Sequence, residues 1–192
     1  MTEKQTVLLA DTTTNPAPLG LTGFGLTTLL LNLHNIGLFP LDTMIMAMGL
    51  FVGGALQVIA GKLEWKKNNM FGMLAFSAYG FFWISLIVLM ILPKLGWGET
   101  PSATAMGWFL TVWGLFTLGM VVASFALSKI MRVLFITVLL LFALLAAADF
   151  TGSLTIKLLG GIDGVICGTL ALFMAMATVI NDTFKKVIIP LN

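Results

Sequence analysis

The chain has 192 residues, of which 59% are hydrophobic and 9% are charged. This number of polar side chains is too small to cover the surface of a soluble globular protein, and the composition therefore excludes that class. It predicts an all-α integral membrane protein. The formal net charge of +2 gives no reason to expect nucleic acid as a partner, and the single cysteine, Cys167, excludes an intrachain disulfide.

Six apolar runs follow one another along the chain, each close to the about twenty residues that a helix needs to cross about 30 Å of hydrocarbon. The predicted spans are roughly 19–39, 43–61, 69–92, 103–127, 131–150 and 158–180. We therefore expect an N-terminal segment at 1–18, a six-helix transmembrane domain at 19–180 and a C-terminal tail at 181–192. The apolar stretch at 7–10 is too short for a signal-peptide core, so we expect the N-terminus to be retained.

Basic residues are distributed unevenly between the two sides of these spans. Eight of the ten Lys and Arg residues fall on the side that carries both termini, and two, Lys94 and Lys157, fall on the other. Because cytoplasmic loops carry an excess of Lys and Arg, the sequence predicts that both termini are cytoplasmic.

The first span opens with an entry segment of seven residues, Asn15, Pro16, Ala17, Pro18, Leu19, Gly20 and Leu21. Proline lacks the backbone N–H that a helix interior requires, so the helix must begin here with Pro18 in its first turn. The next backbone N–H groups would then be unpaired at the positive end of the helix dipole, which attracts anions. We expect the entry segment to form an anion-binding mouth on the cytoplasmic side.

Polar side chains are few inside the predicted spans. By these bounds the acidic residues within spans, Asp163 and Asp149, each lie near an end, so no carboxylate is expected mid-membrane, which disfavours a cation pump. The other polar candidates are Asn32, His34, Asn35 and Gln57. His34 either bonds to a neighbouring helix or acts as a pH-dependent gate, with Gln57 as its candidate partner.

The sequence has no spacing of His, Cys, Asp or Glu that is typical of a metal site, and no nucleophile with a neighbouring base. We therefore expect neither enzyme activity nor a cofactor, and transport is the default function. Two alternatives stay open: a pore for a neutral solute such as ammonia or a polyol, and a membrane scaffold that transports nothing. A neutral solute would cross without electrical current.

The entry segment, read as it stands, resembles the signature of the acetate uptake transporter family, the succinate and acetate permeases of bacteria with their fungal relatives. The resemblance continues through 23–25, 31–35, the region of Tyr79, and 166–168. It implies a hexameric ring in the bacterial inner membrane, with one pathway per protomer. The implied substrates are acetate, other small monocarboxylates and succinate, moved with protons or through an anion channel.

The resemblance also implies a narrow waist, formed by a Phe of the first helix, a Tyr of the third and an aliphatic residue, usually Leu, of the fifth. Phe24 and Tyr79 match this pattern, and Val138 stands at the third position. Leu139 replaces it if the register of the fifth span is shifted by one. From the residues alone, the rings could equally be ordinary helix packing. The Tyr79 hydroxyl is expected to donate to a passing carboxylate.

Glycines recur every four residues in two of the spans. Small residues at this spacing let helices approach closely. Such faces either make subunit contacts or pack helices within one protomer, and the sequence leaves both open for Gly49, Gly53, Gly160, Gly164 and Gly168.

Overall fold

The computed structural model describes residues 13–191, and these form helices with no β-strand among them. Six long helices follow in chain order: α1 (Ala17–Asn35), α2 (Thr43–Lys66), α3 (Met70–Ile91), α4 (Ala103–Ser124), α5 (Lys129–Thr151) and α6 (Leu154–Thr183). The middle of α2, Met48–Leu56, is π-helical, and a 3₁₀ turn, Pro93–Leu95, follows α3. The all-helical prediction is confirmed for this part of the chain.

Helices α2 to α6 are each long and apolar enough to cross a membrane. The shorter α1, of 19 residues, occupies the first predicted run and carries three polar side chains near its end, Asn32, His34 and Asn35. It packs between α2 and α6, which bury Asn32 and leave His34 and Asn35 half-buried. Each of the six predicted runs therefore corresponds to one helix.

Helix α1 ends at Asn35, four residues before the predicted end. Gly37 adopts a φ of +90°, which favours glycine because no Cβ clashes there. The N–H groups of Gly37 and Leu38 donate to the carbonyls of His34 and Leu33, at 2.8 and 3.1 Å. This Schellman motif satisfies the last carbonyls and stops the helix.

Among the other helices, α2 and α6 extend furthest beyond their predicted bounds. α2 continues to Lys66, five residues beyond the predicted end at 61. α6 begins at Leu154, because the Ser153 hydroxyl accepts from the N–H of Ile156 at 3.3 Å and caps the first turn. Both extensions bring charged or polar side chains into helices whose centres are apolar.

Glycines allow α1 to contact its neighbours at backbone distance. A Cβ on Gly168 of α6 would lie 2.5 Å from the backbone N of Leu29, and one on Gly25 of α1 would lie 2.8 Å from the backbone N of Leu172. Any side chain at either position would force the two helices apart. Side chains of the same protomer also meet the remaining glycines of the two predicted faces, Gly49, Gly53, Gly160 and Gly164. The glycine spacing thus packs helices within one chain.

Candidate functional site

Aromatic rings surround Tyr79 near the middle of α3. The Tyr79 side chain is only 4% exposed, and its ring centroid lies 6.1 Å from Phe24 of α1 and 5.5 Å from Phe116 of α4. Phe135 and Phe142 of α5 follow at 6.3 and 6.4 Å. The two aromatic residues that the resemblance pairs, Phe24 and Tyr79, are therefore in contact.

Two cavities lie inside the helix bundle. The inner cavity, of about 260 Å³, lies toward the start of α1, and the outer cavity, of about 220 Å³, lies toward its end. Residues that line the inner cavity include Leu21, Gln57, Glu64, Asn69, Phe76 and Tyr79. Residues that line the outer cavity include Thr28, Asn32, His34, Trp83, Asp149 and Lys157.

Phe24 and Val138 line both cavities, so they lie where the two meet. Leu139, the alternative member of the predicted waist, instead lines a separate cavity between α4 and α5. The structure therefore brings Phe24, Tyr79 and Val138 to one place, between two cavities that each carry a few polar groups in a mainly apolar wall. We call Phe24 and Val138 the junction.

The Tyr79 hydroxyl is already hydrogen-bonded inside the protein. It lies 2.9 Å from Oγ1 of Thr117, and that oxygen donates its only proton to the carbonyl of Trp113 at 2.8 Å. Tyr79 must therefore be the donor to Thr117. Its proton is not available to a passing carboxylate in this conformation, which corrects the sequence-based expectation. Thr117 is one of several hydroxyl residues of α4, and no sequence signal connected it with Tyr79.

The entry segment begins α1 as the prolines predict, with Ala17 as the first helical residue and Pro18 in the first turn. The expectation of unpaired N–H groups is wrong, because Oδ1 of Asn15 accepts from the N–H of Ala17 at 3.0 Å. The carbonyl of Pro16 accepts from Leu19 and Gly20, at 3.0 and 3.4 Å. The mouth therefore has no free backbone donor for an anion in its first turn.

Gly20 of the entry segment has a packing role. A Cβ at this position would collide with the ring of Phe76 on α3. Leu21 and Ala17 line the inner cavity. The entry segment thus fixes the start of α1 and its approach to α3 at the edge of that cavity.

The polar side chains near the end of α1 bond to one another and to the backbone. Nδ2 of Asn32 donates to the carbonyl of Thr28 at 2.8 Å, and Nδ2 of Asn35 donates to Oδ1 of Asn32 at 2.9 Å. Nδ1 of His34 donates to the carbonyl of Phe39 at 2.8 Å. Because a carbonyl only accepts, Nδ1 carries the proton of the neutral ring and Nε2 is its acceptor atom.

Gln57 is not the partner of His34. Nε2 of Gln57 donates to the carbonyl of Gly53 at 2.6 Å, within α2. Gln57 lines the inner cavity and His34 the outer one, so the junction lies between them. The predicted pair is wrong because spacing along two apolar helices does not show at what depth their polar residues lie.

Four buried polar atoms of the two cavity walls have no hydrogen-bond partner among the described residues. Oγ1 of Thr28 and Nε1 of Trp83 belong to walls of the outer cavity, and Oε1 of Gln57 and Oε1 of Glu64 to walls of the inner one. An unsatisfied buried group costs about 1–3 kcal/mol. The outer pair can donate a hydrogen bond, whereas the inner two oxygens can only accept one.

Glu64 was missed by the sequence reasoning. It lies three residues beyond the predicted end of the second span, yet the structure continues α2 to Lys66 and leaves Glu64 only 2% exposed. Glu64 is therefore a buried acidic residue within a helix, although the predicted bounds left it outside the spans. The sequence does carry a signal for Glu64, because it stands between Lys62 and Lys66 and the predicted end of the second span at 61 left all three outside the helix.

Among residues 13–191 there is no group of three or more His, Cys, Asp or Glu side chains that could hold a metal ion. Side-chain donors and acceptors in the two cavities suit a small polar solute that is bound by hydrogen bonds.

The profile of the GPR1/FUN34/yaaH family matches residues 3–191. The succinate-acetate/proton symporter SatP of Escherichia coli (strain K12) is 46% identical over 178 residues, which cover 93% of this chain and 95% of that protein. A solved structure of the bacterial acetate channel SatP superposes with a TM-score of 0.92 at 45% identity, covering 94% of this chain and 99% of that one. The ammonia transport outward protein 2 of Saccharomyces cerevisiae is 35% identical, covering 85% of this chain and 60% of that protein.

Proposed function

We propose that this chain, which belongs to the GPR1/FUN34/yaaH family, transports acetate and other short carboxylates, succinate among them, through a pathway within each protomer. The solute would pass from the outer cavity through the junction, beside Tyr79, into the inner cavity, or the reverse. The direction would follow the gradients of the solute and of protons.

The observation that carries this proposal is the pair of cavities that share Phe24 and Val138 in their walls. Acetate titrates like a Glu side chain, so near neutral pH nearly all of it is anion and crosses lipid poorly. The few polar groups in the wall of each cavity can replace part of its hydration, and an apolar constriction between the cavities selects by size and slows leakage.

The outer cavity supports the proposal by its charge and its donors. Lys157 and His34 line it, and Thr28 and Trp83 present buried hydrogen-bond donors without partners among the described residues. A carboxylate has two oxygens that accept from such groups. Asp149 lines the same cavity and interacts with Lys157, so this cavity is not uniformly positive.

Assembly and orientation are part of the same proposal. We infer a hexameric ring in the bacterial inner membrane with both termini in the cytoplasm. The uneven distribution of Lys and Arg supports the orientation. Large apolar side chains exposed on a single chain are available for lipid and for neighbouring subunits, for example Phe51, Trp65, Trp108 and Val112.

The test is uptake of labelled acetate into liposomes that contain the purified protein, with protein-free liposomes subtracted. A membrane potential and a pH gradient are imposed separately. A response to potential with current identifies an anion channel, and a response to the pH gradient without current identifies coupled uptake. Flux of ammonia or a polyol without acetate flux would favour the neutral-solute pore. Absence of any flux would favour the scaffold.

A further inference from the structure

Glu64 is a buried carboxyl group in which only one of the two oxygens is hydrogen-bonded within the described residues. Its Oε2 accepts from Nδ2 of Asn69 at 2.8 Å, while Oε1 has no partner among the described residues. Asn69 is itself fixed, because its Oδ1 accepts from the N–H of Gly72 at 3.1 Å and caps α3. A Cβ on Gly72 would lie 2.8 Å from Cδ of Glu64, so glycine makes room for the carboxyl group.

The charged surroundings of Glu64 are sparse. Lys67, on the last turn of the same helix, acts on the carboxyl group electrostatically, and its Nζ donates to the carbonyl of Thr13. Among the described residues that line the inner cavity, Tyr79 is the other ionisable side chain, and α1 and α5 contribute none. No described cation lines the cavity to balance the charge of a carboxylate there.

The inner cavity therefore differs from the outer one in what it can bind. Its unpartnered atoms, Oε1 of Gln57 and Oε1 of Glu64, are acceptors. An acetate anion has no proton to give them, and its charge would repel an ionised Glu64 across a cavity of about 260 Å³ with mostly apolar walls. An uncharged carboxylic acid has one O–H that can donate to either oxygen.

We propose that Glu64 is the group that accepts the proton of the transported acid at the inner cavity. This inference rests on the proposed function. The acid passes the junction in its neutral form, and its O–H donates to Oε1 of Glu64. The O–H bond of the acid then breaks and an O–H bond forms on Oε1, which leaves the carboxylate anion beside a neutral Glu64. Anion and proton leave separately on the inner side, so each acid molecule moves no net charge.

The experiment measures protons and current per acetate in liposomes. Labelled acetate gives the flux, a trapped pH dye gives the protons, and the current on an acetate concentration jump gives the charge, each with protein-free liposomes subtracted. The variants are Glu64→Gln, which keeps the shape but cannot take up a proton, and Glu99→Gln, an exposed glutamate outside the helices, as control. We expect about one proton per acetate and little current for the wild-type protein and Glu99→Gln. We expect Glu64→Gln to carry acetate several-fold more slowly at an unchanged ratio of about one proton per acetate, because the acid still crosses the junction with its proton but no side chain takes that proton at the inner cavity.

An unchanged rate of acetate uptake in Glu64→Gln would overturn the inference, and so would a wild-type protein that carries acetate as a free anion. Both results would leave acetate transport itself intact, whereas a wild-type protein without acetate flux would refute the proposed function.

If Glu64→Gln does not assemble, Glu64→Asp keeps an ionisable group on a shorter side chain. We expect it to retain about one proton per acetate at a lower rate. Infrared difference spectra on adding acetate should then show the carbonyl band of a protonated carboxyl group, shifted between wild type and Glu64→Asp but not in Glu99→Gln. No such band in the wild-type protein would overturn the inference.

Discussion

Val138 is the residue on which size selection depends in the proposed pathway. It is 3% exposed and lines both cavities, whereas its neighbour Leu139 lines a separate cavity between α4 and α5. A change of one methylene at Val138 therefore alters the opening between the cavities, and a similar change at Leu139 does not.

Val138→Leu should narrow the junction. We expect uptake of a longer acid, such as succinate or butyrate, to fall several-fold relative to acetate, because an extra methylene in an apolar pocket discriminates by about 1–3 kcal/mol. The measurement is the ratio of the two initial uptake rates in liposomes. Leu139→Ile is the matched control and should leave the ratio at its wild-type value. Equal ratios for all three proteins would remove Val138 from the pathway.

Tyr79 acts in this proposal through its ring, because its hydroxyl is bonded to Thr117. We expect Tyr79→Ala to widen the space beside the junction and to broaden the range of acids accepted. Tyr79→Phe keeps the ring and should retain wild-type selectivity. Competition of unlabelled acids of increasing length against labelled acetate measures the difference. A folded Tyr79→Ala variant with unchanged selectivity would contradict this role.

At the scale of helices, the contact between α1 and α6 depends on glycines that face backbone. Gly168 stands 2.5 Å, measured from a built Cβ, from the backbone N of Leu29, where no side chain can move aside. A Cβ on Gly119 of α4 would meet no heavy atom of a neighbouring helix within 4 Å. The two positions separate the cost of close packing from the effect of helix propensity.

Gly168→Ala should destabilise the protein by about 1–3 kcal/mol or more, because overpacking forces the backbones apart. Gly119→Ala should be neutral or slightly stabilising, since Ala favours the helix by up to about 1 kcal/mol over Gly. Thermal unfolding of the purified proteins in detergent compares them. If both variants melt together with the wild type, the α1–α6 contact is looser than described.

At the scale of the whole molecule, the polar groups of the two cavities differ in kind. Donors without partners among the described residues lie in the outer wall and acceptors in the inner wall. The donors face the outside of the cell and the acceptors face the cytoplasm only if every chain is inserted with its termini in the cytoplasm. The orientation predicted from Lys and Arg is therefore part of the mechanism.

Single cysteines test the orientation. Cys167 is fully buried and should not react, so Lys94→Cys and Lys186→Cys can be compared directly in intact cells. Lys94 follows α3 in the 3₁₀ turn and Lys186 follows α6. We expect a membrane-impermeant thiol reagent to label Lys94→Cys from outside and Lys186→Cys only after permeabilisation. The opposite pattern would invert the proposed inner and outer cavities.

Composition and the lengths of the apolar runs determined the all-helical class and the six helices, because a membrane span has to satisfy its backbone hydrogen bonds within itself. The two prolines likewise determined where α1 begins. Helices that are apolar on most sides give little indication of which face meets which neighbour, so only the tertiary structure decided the partners. It placed Val138 rather than Leu139 at the junction and put Gln57 and His34 on opposite sides of it. It also showed that the N–H groups in the first turn of α1 have acceptors and that Glu64 is buried. Capping and packing set the ends of helices, which hydropathy alone locates only to within a turn.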